Sequence, residues 1–294
     1  MLAGDSRPSA PTRKRQALGT KSKAAVQSRP DLPGSVYMRA ATTHLVLTTL
    51  CALLIATAFT ACRARNEGRM LARANIAPIL LFNGTGTSSG DVTVLEKILT
   101  SEHLRYSTVN SPQMNGMSEV QIREYRLLIV PGGNFEHIGN SLTSRTAANT
   151  RNAIQNGLNY LGICAGAFFA GNSPYNGLNL TSGSRFGFYA VEARGIRKAA
   201  VAITFAGGQT LDQYWEDGPQ LTGWGAVVGK YPDGTPAIVE GTFGNGWVIL
   251  TGVHPEAPAS WQHGMDFRTP SNMDNAYAAT LIRAALHREL LPHY

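Results

Sequence analysis

A cysteine placed between glycines is the strongest chemical signal in this sequence. Cys164 lies in the segment GICAG (162–166), directly after the apolar run LNYLGI. Glycines on both sides of a nucleophile, after a strand, are typical of a sharp turn that exposes the side chain where the strand ends and a helix begins. The partial positive charge of that helix end favours a thiolate. The alternative is a buried structural cysteine among small packing residues, and the flanking glycines favour the turn.

A histidine and a glutamate follow a later apolar strand, in ILTGVHPEAP. His254 and Glu256 are two residues apart, so in an extended chain their side chains point to the same side. Such a pair is suited to activate a thiol, because the imidazole serves as the base and the carboxylate orients it. The alternative is a solvated strand end, since a His-x-Glu pair alone has little specificity.

A glycine pair after the strand RLLIV supplies a third element of the predicted site. The backbone N–H of Gly133, together with that of Ala165, is predicted to form an oxyanion hole for a substrate carbonyl. An ordinary glycine-rich turn is the better explanation of the pair when it is taken alone. We predict Gly132 to contact the substrate.

The stretch DQYWEDGP (212–219) combines aromatic and acidic residues and is predicted to line the cleft near Cys164. We predict Tyr214 and Trp215 to bind substrate there. The alternative is a surface loop with one packed tryptophan. No cofactor is predicted, because NGTGTSSG does not fit the dinucleotide pattern Gly-x-Gly-x-x-Gly. No metal site is predicted either, because four further histidines show no ligand spacing; they are His103, His263, His287 and His293.

The segments VPGG, GICAGA and VHPE occur in an order that resembles the class I glutamine amidotransferase-like superfamily, over residues 77–292. Within it, NGTGTSSG and DGTPAIVEGTFGNGWVILTGVHPE are similar to the biotin-protein ligase N-terminal-like family. The resemblance implies an α/β fold: a flavodoxin-like αβα sandwich with a mostly parallel central sheet and an added β-hairpin segment. It also implies a catalytic triad of Cys164, His254 and Glu256 that acts on a C–N bond.

Two departures from the superfamily bear on the substrate. Glutamine-hydrolysing members usually carry Gln or His soon after the glycine of the nucleophile turn, where this chain has AFFAG (167–171). The ligase half of a biotin ligase, with its Gly-Arg-Gly-Arg-type loop, does not occur in the sequence. The family name therefore does not make this chain a biotin ligase, and glutamine is a doubtful substrate.

The arrangement of apolar segments predicts how these residues are positioned. Up to Gly171, short apolar runs alternate with amphipathic helical segments, which predicts a parallel sheet covered on both faces. After Gly171 the chain is rich in β-type segments, and the turns Pro232–Gly234 and Gly244–Gly246 are hairpin signals. The segment NMDNAYAATLIRAALHREL predicts a closing helix.

The positive charge of the chain is concentrated before the body. Residues 1–42 carry eight Lys/Arg and two acidic residues, whereas the whole chain has a net charge of +7. The body is therefore nearly neutral, and a nucleic-acid partner is not expected. Residues 1–37 are interpreted as a disordered basic leader or a misassigned gene start.

The apolar run 44–62 lies between arginines and ends in FTAC, which predicts an export signal over 38–61. The ending resembles a bacterial lipobox, so Cys62 is the predicted lipidation site, followed by a polar tether over 62–76. An uncleaved anchor and plain secretion are the alternatives. All three interpretations place the body outside the cytoplasm, on the periplasmic side of the cell envelope. Lipidation and the uncleaved anchor also attach the body to the membrane.

Together these features predict an exported, lipid-anchored cysteine hydrolase of unknown amide or peptide-like substrate. The alternative is a binding module for a small molecule or peptide that keeps the fold and does not turn over. The sequence does not determine the oligomeric state.

Overall fold

The computed structural model describes residues 77–294, together with the single positions Thr57 and Arg63. The elements of the fold all belong to the continuous segment. In this described part, no helix has both the length and the apolar character that crossing a membrane requires.

The predictions for the N-terminal region fall outside that segment. They are the leader (1–37), the export signal (38–61), the tether (62–76) and the lipidation site Cys62. All of them stay predictions.

Five parallel strands form one half of a nine-stranded sheet, in the order β2-β1-β3-β4-β11. These strands are β1 (Ile79–Phe82), β2 (Tyr106–Val109), β3 (Leu127–Val130), β4 (Asn159–Ile163) and β11 (Gly246–Thr251). The central members are buried along their whole length, as in β1 (ILLF) and β3 (LLIV). Such uninterrupted apolar runs are expected where helices cover both faces of a parallel sheet.

Helices and two apolar cores lie on the two faces of the sheet. The helices are α1 (Ser89–Ser101), α2 (Ser111–Asn115), α3 (Glu119–Ile122), α4 (Phe135–Ser141), α5 (Ser144–Gln155), α6 (Ala165–Ala170) and α7 (Ser271–His287). Apolar residues of α1 and α7 belong to one core, and those of α2 to α6 belong to the other. The resulting arrangement is a three-layer αβα sandwich.

The other half of the sheet is antiparallel and continues from β11 in the order β10-β9-β6-β7. Its strands are β6 (Lys198–Phe205), β7 (Thr210–Glu216), β9 (Ala226–Lys230) and β10 (Pro236–Phe243). We call this half the wing. A separate two-stranded pair joins β5 (Gly187–Phe188) to β8 (Pro219–Gln220). The predicted α/β fold, with a mostly parallel core and an added β segment, is confirmed.

The stretch DQYWEDGP, for which a surface loop was the alternative, belongs mostly to strand β7. All five central residues of β7 are buried, although two of them are polar. Gln213 donates from Nε2 to Asp274 Oδ1 at 2.9 Å. The backbone N–H of Asp212 donates to Thr269 Oγ1 at 2.9 Å. The Asp212 carboxylate also accepts from the backbone N–H of Arg268. These partners, far along the chain, offset part of the cost of burying polar groups in the wing.

Candidate active site

Cys164 lies at the turn between β4 and α6. Its φ is 49° and its ψ is −102°, a backbone conformation with positive φ that residues other than glycine rarely adopt. The flanking glycine Gly166 is required by close packing, since a Cβ there would lie 2.0 Å from the Val130 carbonyl oxygen. The strained residue is held in place because its N–H donates to the Thr251 carbonyl at 2.8 Å, on the neighbouring strand β11. The turn thus presents the thiol at the carboxyl end of the parallel strands.

The thiol is almost fully enclosed. Cys164 is 4% exposed, and its Sγ donates to the Glu216 carbonyl at 3.4 Å. That carbonyl ends strand β7, so the wing closes over the thiol from one side. Cys164 nevertheless lines two adjoining cavities, of about 650 Å³ and about 170 Å³. A small molecule can therefore reach it from either cavity.

His254 follows β11 and is held by both halves of the sheet. Its backbone N–H donates to the Tyr214 carbonyl of β7 at 2.8 Å. Its ring is buried, and Nδ1 lies 3.0 Å from Glu256 Oε1 with hydrogen-bond geometry. Burial by itself disfavours the charged ring, but the negative charges of Cys164, Asp91 and Glu256 outweigh it and raise the pKa of His254 well above its ordinary value.

Asp91 is a second carboxylate on this histidine, and the sequence alone did not reveal it. Its Oδ1 lies 2.9 Å from His254 Nδ1, off the direction in which that N–H donates to Glu256. Asp91 stands in the first turn of α1, after the cap residue Ser88, and is 2% exposed. An acid in a first helical turn is so common that this position suggests only a favourable helix end. No local signal in the sequence connects it to His254.

Two buried carboxyls that share one ring N–H cannot both be ionised without strong repulsion. Burial and the negative charge of Asp91 raise the pKa of Glu256 to about 7. Burial also opposes ionisation of Asp91, but the charge and hydrogen bond of His254 lower its pKa to about 2. Asp91 is therefore the negative partner of the ring at neutral pH, and Glu256 exchanges a proton near pH 7.

The same three side chains form the group in the described residues that is compact enough to share a cation. One ligand atom from each lies within 4.8 Å of the others, and the residues are Asp91, His254 and Glu256. The N···O separations of 2.9 and 3.0 Å are hydrogen-bond lengths. We therefore interpret the group as one that shares protons.

The two glycines predicted after β3 have different positions. Gly133 is exposed, has a φ of 138° and lines both cavities at Cys164. Gly132 is buried, and a Cβ there would lie 2.5 Å from both His254 Cε1 and Asp91 Oδ1. Gly132 is not among the residues that line the two cavities at Cys164, so its contact with substrate stays a prediction. The absence of a side chain there lets His254 and Asp91 approach each other.

The two residues predicted to supply the oxyanion hole line the same cavity. Gly133 and Ala165 both line the smaller cavity beside Cys164. Ala165 begins α6, and an N–H in a first helical turn has no acceptor four residues earlier in the helix. These two residues are therefore placed to donate to an oxygen bound in that cavity.

The two aromatic residues predicted to bind substrate have opposite environments. Tyr214 lines the larger cavity and donates from its hydroxyl to Glu216 Oε2 at 2.5 Å. Burial and the charge of Glu216 raise the Tyr214 pKa, so its hydroxyl keeps its proton. Trp215 is 0% exposed, and its Nε1 donates to the Gly218 carbonyl at 3.1 Å. Since adjacent strand residues point to opposite faces, Trp215 belongs to the core and is not among the residues that line the two cavities at Cys164.

Comparison with known proteins agrees with the resemblance found in the sequence. Residues 77–196 match the model of the family described as biotin-protein ligase, N terminal. The resemblance to that family is thereby confirmed over the segment that carries Cys164. No curated protein matches the chain.

Solved structures with similar folds share little sequence with this chain. A glutamine amidotransferase is 17% identical, with a TM-score of 0.48 over 61% of this chain and 90% of its own. A putative GMP synthase protein from Thermoplasma acidophilum is 11% identical, with a TM-score of 0.47 over 72% of this chain and 96% of its own. A cytoplasmic protein from Salmonella typhimurium is 11% identical, with a TM-score of 0.45 over 70% of this chain and 98% of its own.

Proposed function

We propose that this protein is a thiol-dependent hydrolase that cleaves an amide or peptide-like C–N bond. Its nucleophile is Cys164 and its base is His254. The observation that carries the proposal is the arrangement around the ring: two buried carboxyls, Asp91 and Glu256, occupy the Nδ1 side. Nε2 is thereby left to exchange a proton with the thiol. The charge of Cys164 contributes to the raised pKa of His254, as expected for neighbouring groups.

The proposed reaction has two halves. His254 takes the thiol proton, and the thiolate of Cys164 attacks the carbonyl carbon while N–H groups of Gly133 and Ala165 stabilise the oxyanion. The C–N bond breaks as His254 returns that proton to the leaving amine, and a thioester remains. Water, deprotonated by His254, then attacks the thioester. The C–S bond breaks, and the acid is released with the thiol restored.

The two carboxyls have separate roles in this scheme. Asp91 stays ionised and stabilises the imidazolium that forms in each half-reaction, because its pKa is about 2. Glu256 accepts the hydrogen bond from Nδ1–H and fixes the ring orientation. The arrangement extends the predicted triad of Cys164, His254 and Glu256 by one residue.

A screen of chromogenic amides with the full chain tests this proposal. We expect turnover by wild type and an added acyl mass on Cys164, and neither with Cys164→Ala. The substrates include glutamine anilides, because the family match supports an amidotransferase-like or hydrolase-like class without fixing the amide. Turnover that survives in Cys164→Ala contradicts the proposal.

A binding module without turnover is the second candidate, favoured by the enclosure of the thiol. Cys164 is 4% exposed and its S–H is bonded to the Glu216 carbonyl, as in an ordinary packed cysteine. Iodoacetamide separates the two candidates. An active-site thiol is labelled within minutes by a modest excess of reagent, whereas a packed thiol is labelled only when the protein is denatured.

We also propose that the protein is exported and anchored by a lipid on Cys62. The apolar run before Cys62, the flanking arginines and the ending FTAC support this. A labelled fatty acid should enter wild type and not Cys62→Ala, and the variant should accumulate as unprocessed precursor. Equal processing of both proteins without lipid contradicts the anchor.

A further inference from the structure

Cys164 lies where two cavities of different chemistry meet. The larger, of about 650 Å³, is lined by His254, by the acidic residues Asp91, Glu216 and Asp217, and by Lys198. The smaller, of about 170 Å³, is lined by Ala165, by three phenylalanines and by charged residues that include Asp217. A substrate bound across the thiol therefore places one part in each cavity.

The proposed reaction, on which this inference rests, decides which part goes where. The leaving amine must receive its proton from His254, which lines the larger cavity. The carbonyl oxygen must reach the N–H of Ala165, which lines the smaller one. With the leaving amine in the larger cavity, the group on the acyl side of the carbonyl carbon is left to extend into the smaller one.

Three phenylalanines line the smaller cavity and contact one another. Phe135 stacks on Phe168 with ring centroids 4.6 Å apart, and Phe188 meets Phe168 edge to face at 5.0 Å. Phe188 is 41% exposed, which is unusual for so large an apolar side chain. A volume of about 170 Å³ is close to that of a designed apolar cavity of about 150 Å³ that takes up benzene. The cavity therefore suits one ring.

The charges at the mouth of this cavity disfavour an acyl group with a carboxylate. The cation there, Arg197, is paired with Glu192 at 2.9 Å and with Asp217 at 2.6 Å. Glu136 adds a further negative charge to the lining. A carboxylate on the acyl group would meet two acids and a cation that is already paired.

We infer that the substrate is an amide of an uncharged aromatic acid, whose single ring fills the cavity formed by Phe135, Phe168 and Phe188. Aromatic side chains recognise such a ring by stacking and edge-to-face contact. The leaving amine lies in the acidic cavity, where a positively charged or polar amine is accepted.

Acyl transfer from matched 4-nitrophenyl esters tests this inference on the full chain. The esters carry phenylacetyl, acetyl or succinyl groups, and the readouts are nitrophenolate release and the acyl mass added to Cys164. We expect phenylacetyl transfer to be roughly tenfold faster than acetyl transfer in wild type, the lower end of what a hydrophobic pocket distinguishes. Succinyl transfer should be the slowest, because of its carboxylate.

Two phenylalanine variants complete the experiment. Phe188→Ala should bring the ratio of phenylacetyl to acetyl transfer close to one. Phe243→Ala, at the end of β10 where its ring contacts Arg151, should keep the wild-type ratio. Equal transfer from all three esters in wild type, or an unchanged ratio in Phe188→Ala, overturns the inference and leaves the hydrolase proposal standing. Absence of any acyl mass on Cys164 contradicts the hydrolase proposal itself.

Discussion

The parallel half of the sheet and the wing contribute to the site in different ways. The parallel half places three residues of the proposed site after strand ends: Cys164 after β4, Gly133 after β3 and His254 after β11. The wing contributes walls, chiefly through Tyr214 and the backbone of Glu216. Carboxyl ends of parallel strands meet at one edge, so chemistry there follows from topology.

The wing contacts the site through β7, the strand at the far edge of the sheet. Strand β7 is the last in the strand order, yet Tyr214 forms an antiparallel bridge with His254. A bridge of this kind ties the base to the wing through the backbone. We therefore expect substitutions of wing side chains to affect the chemistry less than substitutions in the parallel half.

Gly132→Ala should have the largest effect, although it adds one methyl group. The Cβ would lie 2.5 Å from His254 Cε1 and from Asp91 Oδ1, so the ring must move. A displacement of about 1 Å at a reacting group costs roughly a hundredfold in rate. Acyl transfer to Cys164 should fall by that order.

Gly116→Ala is the matched control for this change. It adds the same group where the nearest atom, the Gln113 carbonyl oxygen, is 3.4 Å away. Its acyl transfer should equal that of wild type. Equal rates for the two variants would show that His254 does not depend on the gap at Gly132.

The alkylation rates of Asp91→Asn and Glu256→Gln should depend differently on pH, which distinguishes the roles of the two carboxyls. Glu256 is protonated below its pKa of about 7, so glutamine resembles it at pH 6 and differs from it at pH 8. Asp91 is ionised throughout this range, since its pKa is about 2. We expect Asp91→Asn to react roughly tenfold more slowly with iodoacetamide at both pH values, about the effect of a partly buried charge partner.

Glu256→Gln should react with iodoacetamide as fast as wild type at pH 6 and more slowly than wild type at pH 8. The opposite pattern, with Glu256→Gln impaired at pH 6 and Asp91→Asn normal, would return the role of negative partner to Glu256.

Asp274, in helix α7 and hydrogen-bonded to Gln213 of the wing, provides a stability test. Burial and the charge of Asp212 raise its pKa to about 7, against the hydrogen bond from Gln262. The folded state therefore binds a proton more tightly than the unfolded chain. The stability from this group is complete below about pH 4 and is lost as the pH rises through 7, by at most about 1.4 kcal/mol per pH unit.

Asp274→Asn should flatten this pH dependence without changing the alkylation rate of Cys164. Urea unfolding at pH 5, 6 and 7 measures the first quantity. A pH dependence identical to wild type would mean that Asp274 titrates alike in both states.

Tyr214→Phe should have the smallest effect. It removes the hydroxyl that donates to Glu216 and leaves the backbone bond to His254 intact. The alkylation rate of Cys164 should stay within about twofold of wild type, since the lost hydroxyl does not contact His254 or Cys164. A loss as large as that of Asp91→Asn would show that wing side chains also position the base.

The sequence alone was sufficient to predict those parts of the fold and the site whose signal lies in neighbouring residues. Gly-x-Cys-x-Gly after an apolar run predicted the turn at Cys164, and strand–helix alternation predicted the parallel half. It was insufficient for Asp91, whose contact with His254 spans most of the domain. It was also insufficient for β7, because the acidic and amide residues of this strand suggest a loop until Asp274 is brought beside Gln213.

The most direct test of the account is the rate of Cys164 alkylation against pH in wild type and His254→Ala. The raised pKa of His254 comes partly from the charge of Cys164, so imidazolium and thiolate should stabilise each other. Alkylation of wild type should stay fast at mildly acidic pH, and that of His254→Ala should slow sharply there. If His254→Ala reacts like wild type from pH 5 to 8, Cys164 and His254 are not paired, and the hydrolase proposal is contradicted.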